Sequence, residues 1–347
     1  VRTCFLISIL ACFWLTGCAA NPLTDKTPPD KVLPKPDPFV RNKLLAKSIN
    51  LGNFLEAPNE GDWGVTLKAS YFDSIAARGF SAVRIPVRFS AHTELDSPFT
   101  IDADFMDRVV WAVDQAEKNN LASIVDLHHY QEIFATPQKE KTKFLSLWRQ
   151  ISTRFKDYPA SVFYEILNEP HDKLDADIWN GFLAEAITVI RSIDTLHTVI
   201  VGTAGWGGLS ALNTLVVPVS EENAIVTVHY YEPFHFTHQG AEWVDDSDAW
   251  LGTQWQGTAD EKNKIVLDFF KVEAWGLEHK RPLFLGEFGA YHKADMDSRV
   301  RWTSFIVQTA QADSMGWAYW EFASGFGAYD PQTDTWRMPL LRALIPE

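Results

Sequence analysis

The sequence predicts a single-domain α/β protein of the (β/α)8 (TIM) barrel class. Three observations carry that prediction. Eight short apolar runs recur from about residue 46 to the end of the chain. Segments with helical spacing separate them. Polar and aromatic residues gather where the runs end, which is where such a barrel presents its working groups.

The runs are Ala46–Leu51, Ser81–Val87, Ala122–Leu127, Val162–Leu167, Thr198–Gly202, Ala224–His229, Pro282–Gly286 and Trp317–Glu321. Several are continuously apolar, as parallel strands covered on both faces require. Between the second and third, Phe105, Val109, Ala112, Val113 and Ala116 keep helical spacing with charges between them. Phe182, Ala186, Val189, Ile190 and Ile193 do the same between the fourth and fifth. Asp102 and Asp177 stand where an N-cap or a first-turn acid is useful. A doubly wound sheet is the main competitor. It wants a glycine-rich phosphate turn after the first strand, and Asn50-Leu51-Gly52-Asn53 is not one. Gly202 to Gly208 is glycine-rich, but no Lys or helix-opening Ser/Thr follows, so it does not read as a phosphate loop.

The chain has 347 residues, 46% of them hydrophobic and 22% charged, which suffices for one large core. A net charge of −14 argues against nucleic acid or an anionic membrane surface as partner and suits a neutral substrate. All three cysteines, Cys4, Cys12 and Cys18, lie in the first eighteen residues. The rest of the chain therefore has no disulfide, thiolate zinc site or cysteine nucleophile.

Residues 1–17 read as a lipoprotein signal peptide. Arg2 precedes an apolar stretch from Phe5 to Leu15, and Leu15-Thr16-Gly17-Cys18 resembles a bacterial lipobox with cleavage before Cys18 and lipid on its thiol. A membrane-spanning anchor would want about 20 apolar residues, and this run is shorter. Ala19 follows the cysteine instead of Asp, which by resemblance implies the outer membrane. Residues 18–39 carry Pro22, Pro28, Pro29, Pro34, Pro36 and Pro38 and are expected to form an extended tether. The barrel is then expected over residues 40–347, with the membrane reached only through the lipid on Cys18.

The predicted strand ends supply a constellation in order: Asn53 and Glu56, then Arg84, then Asp126, His128 and His129. Asn168 and Glu169 follow, then His229 and Tyr231, then Glu287, and last Trp320 and Glu321. Two carboxylates presented from separate strand ends are what glycoside hydrolysis needs, one to protonate the leaving oxygen and one to meet the anomeric carbon. The bland alternative is a pair of rim glutamates held in ion pairs. Asn168 before the first glutamate and the aromatics around both argue against it. No metal and no cofactor are expected. His128 and His129 are adjacent, and neighbours on one strand point to opposite faces, so they should not share an ion. One is expected to bind sugar hydroxyls and the other to make a structural hydrogen bond.

Fourteen tryptophans are many for this length, and flat rings cover the apolar faces of pyranoses. Trp320, Trp243 and Trp206 follow strand ends and are the expected platforms, with Trp63 a weaker candidate. Trp111, Trp148, Trp179 and Trp302 fall on helical patterns and are expected in the core.

The motifs Val83-Arg84-Ile85-Pro86, Asp126-Leu127-His128-His129, Leu167-Asn168-Glu169-Pro170, His229-Tyr230-Tyr231 and Gly286-Glu287-Phe288-Gly289, with Trp320, resemble glycoside hydrolase family 5. Asn50 to Val65, Phe236 to Trp243 and Trp317 to Gly327 resemble a bacterial subgroup of endo-β-1,4-glucanases, some of which also cut β-mannans. The resemblance covers residue 40 to the end. It implies that Glu169 is the general acid/base, that Glu287 is the nucleophile and that anomeric configuration is retained. It also implies that Asn53, Glu56 and His238 line the glycone side of a cleft, although each could instead cap a loop or join a surface ion pair.

Retention requires the two carboxyls to lie about 5–5.5 Å apart. Glu169 should have a raised pKa, while Arg84 and Tyr231 should hold Glu287 ionised. Asn168 should meet the sugar 2-hydroxyl, and His229 should contact the acid/base. Glu321 reads as a structural partner and not as a third catalyst. The expected partner is a β-1,4-linked polysaccharide, met by a monomer that binds no nucleic acid. A retaining endo-β-1,4-glucanase is the leading reading. An endo-β-1,4-mannanase or a dual enzyme is the alternative, since glucan and mannan differ only at C2. A non-catalytic carbohydrate-binding surface lipoprotein is the reading from another class.

Overall fold

The computed structural model describes residues 36–346. The expected signal peptide, Cys18 and the expected tether up to residue 35 lie outside the described residues. The compact barrel unit begins at Pro36, not at residue 40. Helix α1 (Pro38–Asn42) opens on Pro38, where a missing backbone N–H costs nothing, and the Asp37 side chain accepts from Phe39 N. Asn42 Nδ2 then donates to Leu283 O at 2.9 Å and pins the helix to the barrel. Pro36 and Pro38 therefore belong to the folded unit and not to a tether.

Eight strands follow: β1 (Ser48–Asn50), β2 (Ala82–Val87), β3 (Ala122–Leu127), β4 (Val162–Glu165), β5 (Thr198–Gly202), β6 (Ala224–His229), β7 (Leu283–Phe288) and β8 (Gly316–Tyr319). They form one closed parallel barrel in sequence order, with β8 paired back to β1. The helices between them are α2 (Ala69–Ala77), α3 (Ala103–Lys118), α4 (Gln131–Ala135), α5 (Pro137–Phe155), α6 (Ala176–Arg191), α7 (Phe234–Thr237), α8 (Ala259–His279) and α9 (Met296–Ala312). A two-stranded antiparallel ribbon, β9 (Tyr329–Asp330) with β10 (Thr335–Trp336), and helix α10 (Met338–Leu344) complete the described chain.

The helix faces follow the apolar spacing. Helix α3 buries Val109, Val110, Ala112, Val113 and Ala116, and Asp102 is its N-cap. Helix α6 buries Trp179, Phe182, Leu183, Ala186, Ile187 and Ile190. Its N-cap is Asp175, and Asp177 sits in the first turn, where a negative charge meets the positive end of the helix.

Period-two alternation builds the barrel interior. Ala82, Ala122, Ile124, Phe163, Ile200, Ile225, Phe284 and Ala318, with Leu45, form an apolar plug separate from the layer between sheet and helices. Each buried Ile or Phe there contributes about 1.5–3 kcal/mol. Two residues further along the same strands stand Arg84, Asp126 and Glu165, turned the same way and fully buried. The charged layer thus sits on the plug at the strands' C-terminal ends. The indole N–H groups of three helix tryptophans hold the strand ends from outside. Trp148 donates to Ile166 O, Trp179 to Gly202 O and Trp302 to Glu232 O, at 2.9–3.0 Å. Trp111 is only partly buried and lies under the Arg108 guanidinium.

Two strand ends depart from the sequence expectation. Strand β4 stops at Glu165, so Asn168 and Glu169 lie on the loop beyond it. Strand β7 runs on to Phe288 and contains Glu287. Strict alternation from Leu285, which faces the helices, would turn Glu287 outward. The pairing of β7 with both neighbours shifts register here, and this irregularity returns Glu287 to the interior. Gly286 makes room for it, since a Cβ at Gly286 would stand 3.1 Å from His229 Nε2 and closer still to Thr227 Oγ1.

Candidate active site

Arg84, fully buried on β2, organises the charged layer. Its Nε and Nη2 donate to the two oxygens of Glu165 at 2.7 Å each. Its Nη1 donates to Asn50 Oδ1 at 2.9 Å and to Glu287 Oε1 at 2.7 Å. Its Nη2 also donates to Asn168 Oδ1 at 2.8 Å and lies 2.9 Å from Asp126 Oδ2. A planar guanidinium with five N–H groups can serve this many acceptors at fixed angles, and an ammonium cannot.

Glu287 is nearly enclosed, with a side chain 6% exposed. Besides Arg84 it accepts from the Tyr231 hydroxyl at 3.0 Å. Glu169 stands on a left-handed backbone (φ 46°) and is 21% exposed toward the cleft. Among the described residues, no guanidinium touches its carboxyl. Its Oε1 lies 2.7 Å from His229 Nδ1, which is also 3.6 Å from Glu287 Oε2. Carboxylate oxygens of Glu169 and Glu287 and the His229 nitrogen all lie within 4.8 Å of one another.

Burial pushes both glutamates up to about 7. His229 and Arg84 oppose the rise at Glu287, while Arg84 and a hydrogen bond from Asn168 oppose it at Glu169. The same burial pushes Asp126 up to about 7 and raises Glu165, because one arginine cannot neutralise four carboxyls. It also lowers His229 and so keeps that ring neutral. The close pair holds one proton between them near neutrality. The charge belongs on Glu287, which has a guanidinium and a phenol donating to it. The proton belongs on Glu169, whose neighbour is an uncharged imidazole. Such a pair can donate a proton at one carboxyl and attack with the other.

The pair sits midway along an open cleft. One half, of about 600 Å3, is lined by Glu287, Asn53, Trp63, His128, His129 and Trp320. The other, of about 940 Å3, is lined by Trp206, Ser210, Asn213, Glu232, Phe234 and Lys271. Glu169, Tyr231, His238 and Trp243 border both halves. Trp206 and Trp243 offer broad exposed faces, at 57% and 60% exposure. Trp320 lies parallel to His128 at 5.7 Å. Trp63, the weakest candidate in the sequence, faces the cleft edge-on to His129.

Two expectations are corrected. Glu56 is fully buried and does not line the cleft. It accepts the backbone N–H groups of Asn53 and Phe54 and caps the turn after β1. Burial pushes its pKa up to about 8. His128 and His129 do not point to opposite faces. Strand β3 ends at Leu127 and His129 takes φ 51°, so both rings enter the same half of the cleft, perpendicular at 4.5 Å. His238, the residue after α7, borders the Glu287 half and the other half as well, edge-on to Tyr231. Its neighbour Thr237 holds its Nδ1 at 2.9 Å.

Glu321 is buried and lines the Glu287 half, and it accepts from Phe326 N at 3.2 Å. His128 Nδ1 lies 2.5 Å from Asp126 Oδ2. Sequence reasoning missed Glu165 and Asn50, the groups that orient Arg84. The available signal was a lone carboxylate in the otherwise uncharged run Val162-Phe163-Tyr164-Glu165.

Among the described residues, one group of acids and histidines is tight enough for a metal ion: Glu169, His229 and Glu287. The Arg84 guanidinium, bonded to one of the three, opposes a cation there.

A model of the cellulase family (glycosyl hydrolase family 5) matches residues 47–325. Endoglucanase H of Acetivibrio thermocellus is 32% identical over 325 residues, covering 92% of this chain and 35% of its own length. The chain thus spans about a third of that relative. Endoglucanase B of Clostridium cellulovorans is 29% identical over 85% of this chain and 72% of its own. Among solved structures, Thermotoga maritima Cel5A in complex with mannotriose superposes with a TM-score of 0.88 at 52% identity. That match covers 89% of this chain and all of the other, and the same enzyme has also been solved with cellobiose. The chain belongs to the cellulase family, glycosyl hydrolase family 5.

Proposed function

We propose that the chain is a retaining endo-β-1,4-glucanase. The observation that carries this reading is the pair Glu169 and Glu287, with oxygens within 4.8 Å and unlike partners, a guanidinium on Glu287 and an imidazole on Glu169, between the two halves of the cleft. That spacing is too short for an attacking water between carboxyl and sugar and suits direct attack on the anomeric carbon. Glu287, charged and held by Arg84 and Tyr231, attacks C1, while protonated Glu169 gives its proton to the glycosidic oxygen. Glu169 then takes a proton from the water that releases the sugar from Glu287. Glu287 borders only the smaller half of the cleft, so the attacked sugar lies there against Trp320 and His128. Glu169 borders both halves, so the leaving chain lies over Trp206. Asn168, oriented by Arg84, serves the 2-hydroxyl, whose hydrogen bond strengthens in the transition state.

The names of the relatives support glucan as the substrate. The mannotriose bound to Thermotoga maritima Cel5A supports a second reading, a cleft that accepts either configuration at C2. Measured kcat/KM on barley-type β-glucan and on unsubstituted β-mannan, each with Glu287→Gln as blank, separates the two. A large preference for glucan is expected. Comparable values make the enzyme a dual glucanase/mannanase. Reducing ends released by neither protein from either polymer leave only a carbohydrate-binding role. The lipobox-like run Leu15-Thr16-Gly17-Cys18, followed by Ala19, supports attachment to the outer membrane. Cys18→Ser should then move the protein from the membrane to the soluble fraction, and continued membrane association refutes the attachment.

A further inference from the structure

We propose that His171 is a positioning residue that ties the leaving-group platform, Trp206, to the carboxyl of Glu169. The inference rests on Glu169 being the proton donor.

His171 is buried two residues past Glu169. Its Nδ1 lies 2.6 Å from Glu169 O. A carbonyl only accepts, so Nδ1 carries the hydrogen. The ring is sandwiched. Phe134 lies on it at 3.9 Å between centroids, and Trp206 stacks on it at 3.5 Å with planes 13° apart. The Trp206 backbone N–H donates to the next carbonyl, Pro170 O, at 3.2 Å. Two consecutive carbonyls at the acid/base are therefore held by the two members of one stacked pair.

The glycine-rich segment after β5 supplies the other half of the device. Gly205, Trp206 and Gly207 all take positive φ (70°, 62° and 66°), a tight turn that presents the indole face to the cleft. Gly207 lies against the reacting groups, since a Cβ there would stand 3.1 Å from His229 Cγ and 3.5 Å from Glu169 Cγ. His229 N–H donates to Gly207 O at 2.9 Å. This segment carries the platform for the departing sugar and packs on both Glu169 and the imidazole that touches it. Glu169 itself stands on a left-handed backbone that L residues rarely adopt, so its direction depends on such outside ties. Proton transfer needs hydrogen-bond reach to the leaving oxygen, and a sugar seated on Trp206 places that oxygen relative to the same stack that orients the carboxyl.

The test is the ratio of kcat/KM on 2,4-dinitrophenyl β-cellobioside to that on phenyl β-cellobioside. The dinitrophenolate leaves without a proton and the phenolate needs one, so the ratio reports proton donation and is blind to a general loss of structure. His171→Phe keeps a ring in the stack and removes the donor. Trp206→Ala removes the platform from an exposed site and leaves the fold intact. Each is expected to raise the ratio about 10-fold, within the range that general acid catalysis supplies. An unchanged ratio in either folded variant overturns the proposal, and Trp206→Ala decides alone if His171→Phe does not fold. Glu169→Ala is the control and must raise the ratio further. If it does not, the assignment of the proton donor has failed, and the proposal falls with it.

Discussion

Glu287 and Glu169 are the same side chain, close enough for their oxygens to lie within 4.8 Å, yet they stand in different surroundings. Glu287 sits inside a strand, returned to the interior by a register shift, with a guanidinium at 2.7 Å and a phenol at 3.0 Å. Glu169 sits on a loop past a strand end, with no cation among the described residues on its carboxyl and an uncharged imidazole at 2.7 Å. The strand-held carboxyl is fixed by two donors, which suits the attack on C1 proposed for it. The loop-held carboxyl is more exposed, which suits the proton exchange proposed for it. Role follows from neighbours and backbone, not from side-chain type.

The largest effect should come from Glu287→Gln, which removes the attacking oxygen but keeps the shape. Turnover of β-glucan is expected to fall by more than about 10^4-fold with an unchanged Tm. Residual activity above a trace would assign the attack elsewhere. Glu169→Ala should lose about 10²–10⁴-fold on the polymer. Added azide should restore turnover of dinitrophenyl β-cellobioside and form the β-configured glycosyl azide, because the anion enters the space left on the acid/base side. An α-configured azide would exchange the two roles.

Arg84→Met strands Glu165, Asp126 and Glu287 without their shared cation. Breaking a buried pair in this way costs about 3–5 kcal/mol, to be read in urea unfolding. Tyr231→Phe deletes one donor to Glu287, and the expected loss in kcat is about 10-fold, the worth of one hydrogen bond to a charged group.

The smallest effect is on stability against pH. Burial raises Glu56 to about 8 and Asp126 and Glu169 to about 7, all above their unfolded values of 4.5 or 3.8. The folded protein therefore keeps protons that the unfolded chain has released. Stability is full below the unfolded values and declines as pH rises through 7 to 8. Tm should be higher at pH 5.5 than at pH 8. Glu56→Gln, neutral at every pH, should narrow that difference. A Tm that rises over this interval would contradict the burial of these carboxyls as acids.

Much of the barrel was legible because parallel strands covered on both faces leave apolar runs that read without ambiguity. The same simplicity hid the strand ends. Nothing in Val162-Phe163-Tyr164-Glu165-Ile166-Leu167 marks a stop at Glu165, since Ile166 still donates its N–H to Ile200 O. Nothing in the alternation foretells the register shift that turns Glu287 inward, although Gly286 was a hint that the backbone needed room there. His128 and His129 were misplaced for a related reason. Alternation holds only inside a strand, and His129 lies outside it at positive φ. Glu56 shows the limit of carrying roles by position, because a carboxylate near a cleft can be spent on two backbone N–H groups. His171 gave no signal at all, since its importance arises from a stack with a residue thirty-five positions away.

The most direct test of the central claim is to trap the covalent intermediate. The protein would be treated with 2,4-dinitrophenyl 2-deoxy-2-fluoro-β-cellobioside, whose good leaving group lets the first step proceed while the fluorine slows the second. The account predicts a mass gain of one fluorocellobiosyl unit, located by peptide mapping on Glu287 and absent in Glu287→Gln. An adduct on Glu169, or steady turnover with no adduct on any residue, would contradict it.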